Sequence, residues 1–128
     1  MSGASTEAVH PKFRIWLRAD GIVQLVWTPG THMGLEGALE VSDAIAELGG
    51  GRPALLLVVP GDGSTQDRSA RLEFARRGDL VAAAAVVVGN PLSRIMGNFF
   101  VNVSKPTAPT QLFDDEASAV AWLQEFTP

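Results

Sequence analysis

The sequence predicts an α/β fold: a five-stranded mixed sheet, opened by an N-terminal hairpin and continued by alternating helices and parallel strands, in the order β-β-α-β-α-β-α-β-α. Three observations carry this. Phe13, Ile15 and Leu17 alternate with Arg14, Trp16 and Arg18, the period of two of a half-buried strand. Two apolar runs, Ala54 to Val59 and Ala82 to Val88, each feed through a short polar loop into a helical pattern, as parallel strands joined by crossovers do. The chain's 128 residues, 46% hydrophobic and 19% charged, suffice for one domain with a real core and are too few for two ordinary ones.

Each element follows from local chemistry. Residues 1–11 are small and polar and read as a flexible tail, and residues 12–128 as a single domain. After the first strand, Ala19, Asp20 and Gly21 supply a tight turn, and the apolar run Ile22 to Trp27 returns as a central strand, leaving Phe13 to Leu17 at the edge. Thr28, Pro29 and Gly30 break the pattern. A helix is predicted over about 33–48, with Ala38, Val41, Ile45 and Leu48 on one face, closed by Gly49 to Gly51.

Ala54 to Val59 reads as a strand buried on both faces. A second helix over about 66–77 places Ala70 and Phe74 inward, flanked by Leu72 and Ala75. After Ala82 to Val88, Asn90 is a good cap and Pro91 a good first helical residue. Leu92, Ile95, Met96, Phe99, Phe100 and Val103 then follow at helical spacing as a third helix. Gln111 to Phe113 is a short last strand, and Asp114 or Asp115 caps a final helix whose stripe is Ala119, Val120, Trp122, Leu123 and Phe126.

Composition excludes several function classes. Without cysteine there is no disulfide, thiolate metal site or cysteine nucleophile, which suits a reducing cytoplasm. A net charge of −4 argues against nucleic acid, whose binding draws on surplus lysine and arginine. The start of the chain lacks the basic and apolar regions of a secretory signal, and no apolar run approaches the roughly 20 residues needed to span a bilayer. A soluble, cytoplasmic protein is expected.

The candidate functional surface lies where open α/β sheets gather their sites, in the loops after parallel strands: here 60–66 and 89–91. Helix N-termini near Gln66 and Pro91 would lie at one sheet edge, offering free N–H groups and dipole ends to an anion. Arg68, Arg71 and Arg94 could add charge, and Ser64, Asn90 and Ser93 hydrogen bonds. With Thr65, Asp67, Ser69 and Asn98 these make up the ligand or partner surface. The alternative is that the arginines are solvated or pair with Asp62, Asp67 and Glu73. Gly61, Asp62 and Gly63 form a glycine-containing loop, but no lysine follows at P-loop spacing.

No catalytic set is recognisable, so the protein is read as a non-enzyme without cofactor or metal. His10, in the tail, and His32, beside the first helix, are both read as incidental, and Asp114 and Asp115 as caps. Trp16 stands on the outer face of a basic strand and is a candidate dimer contact. Lys12, Arg14 and Arg18 would protect that edge, or leave it for pairing with another chain.

Three segments carry a resemblance: Asp67 to Ala75 (DRSARLEFA), Asn90 to Phe100 (NPLSRIMGNFF) and Leu112 to Phe126 (LFDDEASAVAWLQEF). With the element order from Phe13 to Phe126, they resemble the sulfate-transporter and anti-sigma-factor-antagonist (STAS) superfamily, which includes relatives grouped with lipid-binding SEC14-type domains. The chain is similar to a small stand-alone bacterial branch of uncharacterised function. The resemblance implies a mixed sheet flanked by helices and, in the antagonists, a phosphorylated hydroxyl after an aspartate at the start of the second helix, in an Asp-Ser-(Ser/Thr)-Gly motif. Asp67 matches that aspartate, but Arg68 stands at the phosphorylated serine and Ala70 at the glycine. Ser64, Thr65 or Ser69 would have to take the phosphate, or serve simply as caps.

Three functions are therefore expected from the sequence. The first is a non-enzymatic STAS-like regulatory or interaction domain, homo-oligomeric, meeting a protein partner or a small anionic ligand. The second is a carrier or sensor of an apolar, lipid-like molecule held near Met96, Phe99 and Phe100. The third is an enzyme acting on a phosphorylated metabolite, with Asp67 as its acid or base.

Overall fold

A computed structural model of the chain describes residues 7–10, 12–61, 63–88 and 108–126. In order they form β1 (Glu7–His10), β2 (Phe13–Leu17), β3 (Ile22–Trp27), β4 (His32–Met33), α1 (Leu35–Leu48), β5 (Ala54–Val59), β6 (Thr65–Gln66) and α2 (Arg68–Arg76). A 3-10 turn at Gly78–Leu80 leads into β7 (Val81–Val87), β8 (Thr110–Phe113) and α3 (Glu116–Gln124). The helix expected over 91–103 lies outside the described residues, as do Asn90, Ser93, Arg94 and Asn98.

The main sheet runs β1-β2-β3-β5-β7-β8. β1, β2 and β3 are antiparallel, and β3, β5, β7 and β8 are parallel, so the mixed sheet and its hairpin are as expected, with one strand more. That strand is β1: Glu7–His10, within the segment read as a tail, pairs with Phe13 to Trp16 of β2. β2 is therefore an inner strand and not the edge. The hairpin turns where Gly21 takes a φ of +87°, a left-handed conformation that side chains with a Cβ resist.

Strand alternation divides the core between two faces. Phe13, Ile15, Val23, Leu25, Trp27, Ala54 and Leu56 point to one face and pack against Ala38, Val41 and Ile45 of α1 and Ala70 of α2. Ile22, Leu57, Ala83 and Ala85 point to the other and meet Ala119 and Leu123 of α3. The alanines of β7 let α3 approach closely, and all four of Ala83, Ala85, Ala119 and Leu123 are fully buried. The α3 stripe is narrower than its spacing suggests, since Phe126 stays exposed and stacks edge-on against Trp122.

β4 and β6 form a second, two-stranded parallel sheet that pattern alone did not disclose. It continues the pairing of β3 with β5: partners stand 33 residues apart in both, Ile22 with Leu55 and His32 with Thr65. The two chains thus break together, one at Thr28-Pro29-Gly30 and the other at Pro60-Gly61, and rejoin in the same register. This pairing consumes residues expected to be helical. α1 begins at Leu35 because Met33 is in β4 and Gly34 is extended, and α2 begins at Arg68 because Gln66 is in β6 and Asp67 is the cap. Met33, fully buried, lies over Gly37, where a side chain would collide with its thioether.

Candidate functional site

Because β3, β5 and β7 are parallel neighbours, their carboxyl ends share one rim. The loop 60–66 leaves β5 there, and Val88, the last described residue after β7, lies at the same edge, its N–H donating to Phe113 O at 2.9 Å. Residues 89–91 themselves lie outside the described residues. What stands beside 60–66 on the described rim is the loop after β3, residues 28–34, in which the sequence predicts a break at Thr28 to Gly30 and the start of a helix at 33–34.

The two loops are fastened along their length. Gly61 lies so close to the first loop that a Cβ there would be 2.7 Å from Trp27 O, Thr28 C and Pro29 N. Ser64 Oγ donates to Thr28 O at 2.9 Å. Thr65 N–H donates to Thr31 O at 2.9 Å and Asp67 N–H to Met33 O at 3.0 Å. Thr31 Oγ1 turns back onto Thr28 O at 2.8 Å, and Lys12 Nζ donates to His32 O at 2.7 Å.

Across this seam stands a cluster of side chains. His32 Nδ1 is 2.8 Å from Thr65 Oγ1, and His32 Nε2 is 3.6 Å from Asp67 Oδ2. Asp67 Oδ1 accepts from Ser69 Oγ at 2.6 Å and from Ala70 N–H at 2.9 Å, so Asp67 is the N-cap of α2. The Ser69 hydroxyl first, then the Ala70 N–H, hold its carboxyl below the ordinary carboxylate range, with a smaller contribution from His32. Both stabilise the charged form.

The structure places Ser64, Thr65, Asp67 and Ser69 along this seam and adds His32, which was read as incidental. The available signal was weak: a histidine five residues after the end of a central strand, in a loop shared by parallel neighbours. Arg71 turns back to donate to Gln66 O at 2.9 Å, and Arg68 is exposed on the first turn of α2. Glu73, one of the acidic partners these arginines have in the alternative reading, is only 7% exposed. It takes Arg76 instead, Nε to Oε1 at 2.9 Å and Nη2 to Oε2 at 2.6 Å, and that guanidinium holds its carboxyl below the usual range.

Chemically, the cluster can exchange protons with solvent and orient a hydroxyl. Asp67 is a poor base, its carboxylate stabilised and already accepting two hydrogen bonds, and at 3.6 Å it attracts the His32 ring without bonding it. An anion arriving at the α2 N-terminus would meet this carboxylate first. Among the described residues, no group of three or more histidine and acidic side chains is placed to hold a metal, and no helix is long and apolar enough to cross a membrane.

Trp16 lies on the opposite face of the sheet, half-buried, with the Arg14 guanidinium 5.1 Å from its ring centre, a cation–π contact. Arg18 does not guard an edge. It pairs with Asp20 at 3.0 Å and donates to Gln24 Oε1 at 3.2 Å, and Gln24 Nε2 in turn donates to Glu116 Oε1 at 3.4 Å, tying β3 to the first turn of α3.

The parallel strands flanked by helices, entered through an antiparallel hairpin and carrying capped helix starts at one rim, make up a STAS-like fold. An uncharacterised protein of the DUF3478 family from Shewanella loihica PV-4, described as having a SpoIIAA-like fold, superimposes with a TM-score of 0.63 over 91% of this chain and 98% of its own, at 13% identity. A protein of unknown function from Arthrobacter sp. FB24 is 26% identical over 85% of this chain and 96% of its own, with a TM-score of 0.32. No curated protein matches. The model of a domain of unknown function, DUF7793, matches residues 15–127, and the chain belongs to that family.

Proposed function

We propose that this is a non-enzymatic regulatory or interaction domain that meets a protein partner with the rim formed by residues 28–34 and 60–71. The observation that carries this reading is the fastening of those two loops, which presents a rigid surface at low cost in lost flexibility on binding. Beside it, α1 and α2 leave Leu35, Leu39 and Leu72 44%, 40% and 57% exposed, while Arg68 and Arg71 supply positive charge. The partner surface that fits is apolar with an acidic margin. A small anion fits less well, since the α2 N-terminus is already occupied by Asp67.

The test is capture from native lysate by the wild type and by Arg68→Ala combined with Leu72→Ser, two exposed positions whose change leaves the core intact. Loss of a captured protein in the variant, with an unchanged melting temperature, is expected. Identical captured sets, or calorimetric binding of inorganic phosphate by both proteins, would overturn the reading. Self-association through the Trp16 face belongs to the same proposal, and sedimentation velocity should show Trp16→Ser shifted towards the monomer.

A further inference from the structure

We infer that His32 is a proton-operated latch between the two rim loops, an inference that stands whether or not the rim is the docking surface. The ring spans the seam: its backbone is in β4, its Nδ1 contacts Thr65 of β6, and its Nε2 faces the Asp67 carboxylate that caps α2. As an imidazolium it carries two N–H donors, and both point at acceptors, the Thr65 hydroxyl oxygen and the Asp67 carboxylate. As neutral imidazole it keeps one N–H, the Thr65 hydroxyl can donate to the bare nitrogen, and what is lost is the charge attraction to Asp67.

The proton also sets the polarity of Thr65. With Nδ1 protonated, Thr65 Oγ1 accepts from the ring, and its own O–H is free to donate outwards. With Nδ1 deprotonated, the hydroxyl donates to the ring and offers only lone pairs outwards. Histidine changes charge within about pH 5–8, and the Asp67 carboxyl, held low by Ser69 and Ala70, stays ionised across that window. Other charged groups stand on the neighbouring elements. Lys12 binds the His32 carbonyl and opposes the ring's charge, Arg71 is turned to Gln66 O, and Arg68 and Glu36 are exposed on the first turns of α2 and α1. The latch is therefore tight on the acid side of the histidine range and slack above it.

Amide hydrogen exchange reads this directly, because the Thr65 and Asp67 N–H groups bond across the seam. Corrected for intrinsic exchange rates, their protection in the wild type is expected to fall about two- to fivefold between about pH 5.5 and 8, the scale of an exposed ion pair. In His32→Gln it should be flat. Equal protection at both pH values in the wild type, or the same fall in the variant, overturns the latch. A second measurement uses the wild type alone: the His32 ring protons and the Thr65 and Asp67 amide shifts should titrate with one midpoint, and separate midpoints would equally overturn it.

Discussion

At the scale of single residues, Gly61 decides whether the rim can exist. Its Cα sits against backbone atoms of Trp27, Thr28 and Pro29, which cannot swing aside as a side chain can. Gly61→Ala should therefore push the loops apart and cost about 1–3 kcal/mol, the range for overpacking, measurable by urea denaturation. Asp67 gives a prediction with a sign. Its pKa is depressed in the folded state, so its contribution is complete above the ordinary aspartate value of about 3.9 and is lost as pH falls through the lower, folded value. Asp67→Asn should accordingly flatten the acid limb of a plot of stability against pH, read from urea midpoints at successive pH values. What no pattern showed was that His32 and Asp67 meet, or that Glu73 turns inward with Arg76. Both depend on contacts made through pairing and helix rotation, and neither is marked by composition or period.

Among the elements, the helix starts show most clearly what local chemistry fixes. Asp115 accepts from Ser118 N–H at 2.7 Å and from Ser118 Oγ at 3.1 Å, and those contacts hold its carboxyl below its usual range. Asp115→Ala should lower the melting temperature by roughly 2–6 °C, as loss of an N-cap does in a domain of this size, while Asp114→Ala should lower it less. The Asp115 cap, the hairpin turn and the apolar stripes of α1 and α2 were legible because each is written in residues close to one another in sequence. The two-residue strands β4 and β6 were not. They carry no alternation long enough to read, and a helical assignment over 33–34 and 66–67 is natural until the partner segment is in place. β1 was hidden for a related reason: its pairing with β2 is a tertiary fact, and a small polar opening segment resembles a tail.

Over the whole molecule, the sheet has two covered faces held by different helices, and Leu57 stands at its middle. It is fully buried on the face that meets α3, so Leu57→Ala should cost about 2–5 kcal/mol in urea-induced unfolding. The order of the main-sheet strands from β2 to β8, and of α1, α2 and α3 among the described residues, was readable because each follows one grammar of apolar run, loop and amphipathic stripe. The site was readable only in part: the loop after β5 was located, while its partner after β3 was not. The shared spacing of β3–β5 and β4–β6 has a consequence for how such a chain can vary. Inserting one residue into either loop would slide Thr65 away from His32 and turn the second strand's side chains over, whereas inserting one into both would restore the match. The lengths of these two segments are thus bound to change only in tandem, although more than thirty positions of sequence separate them.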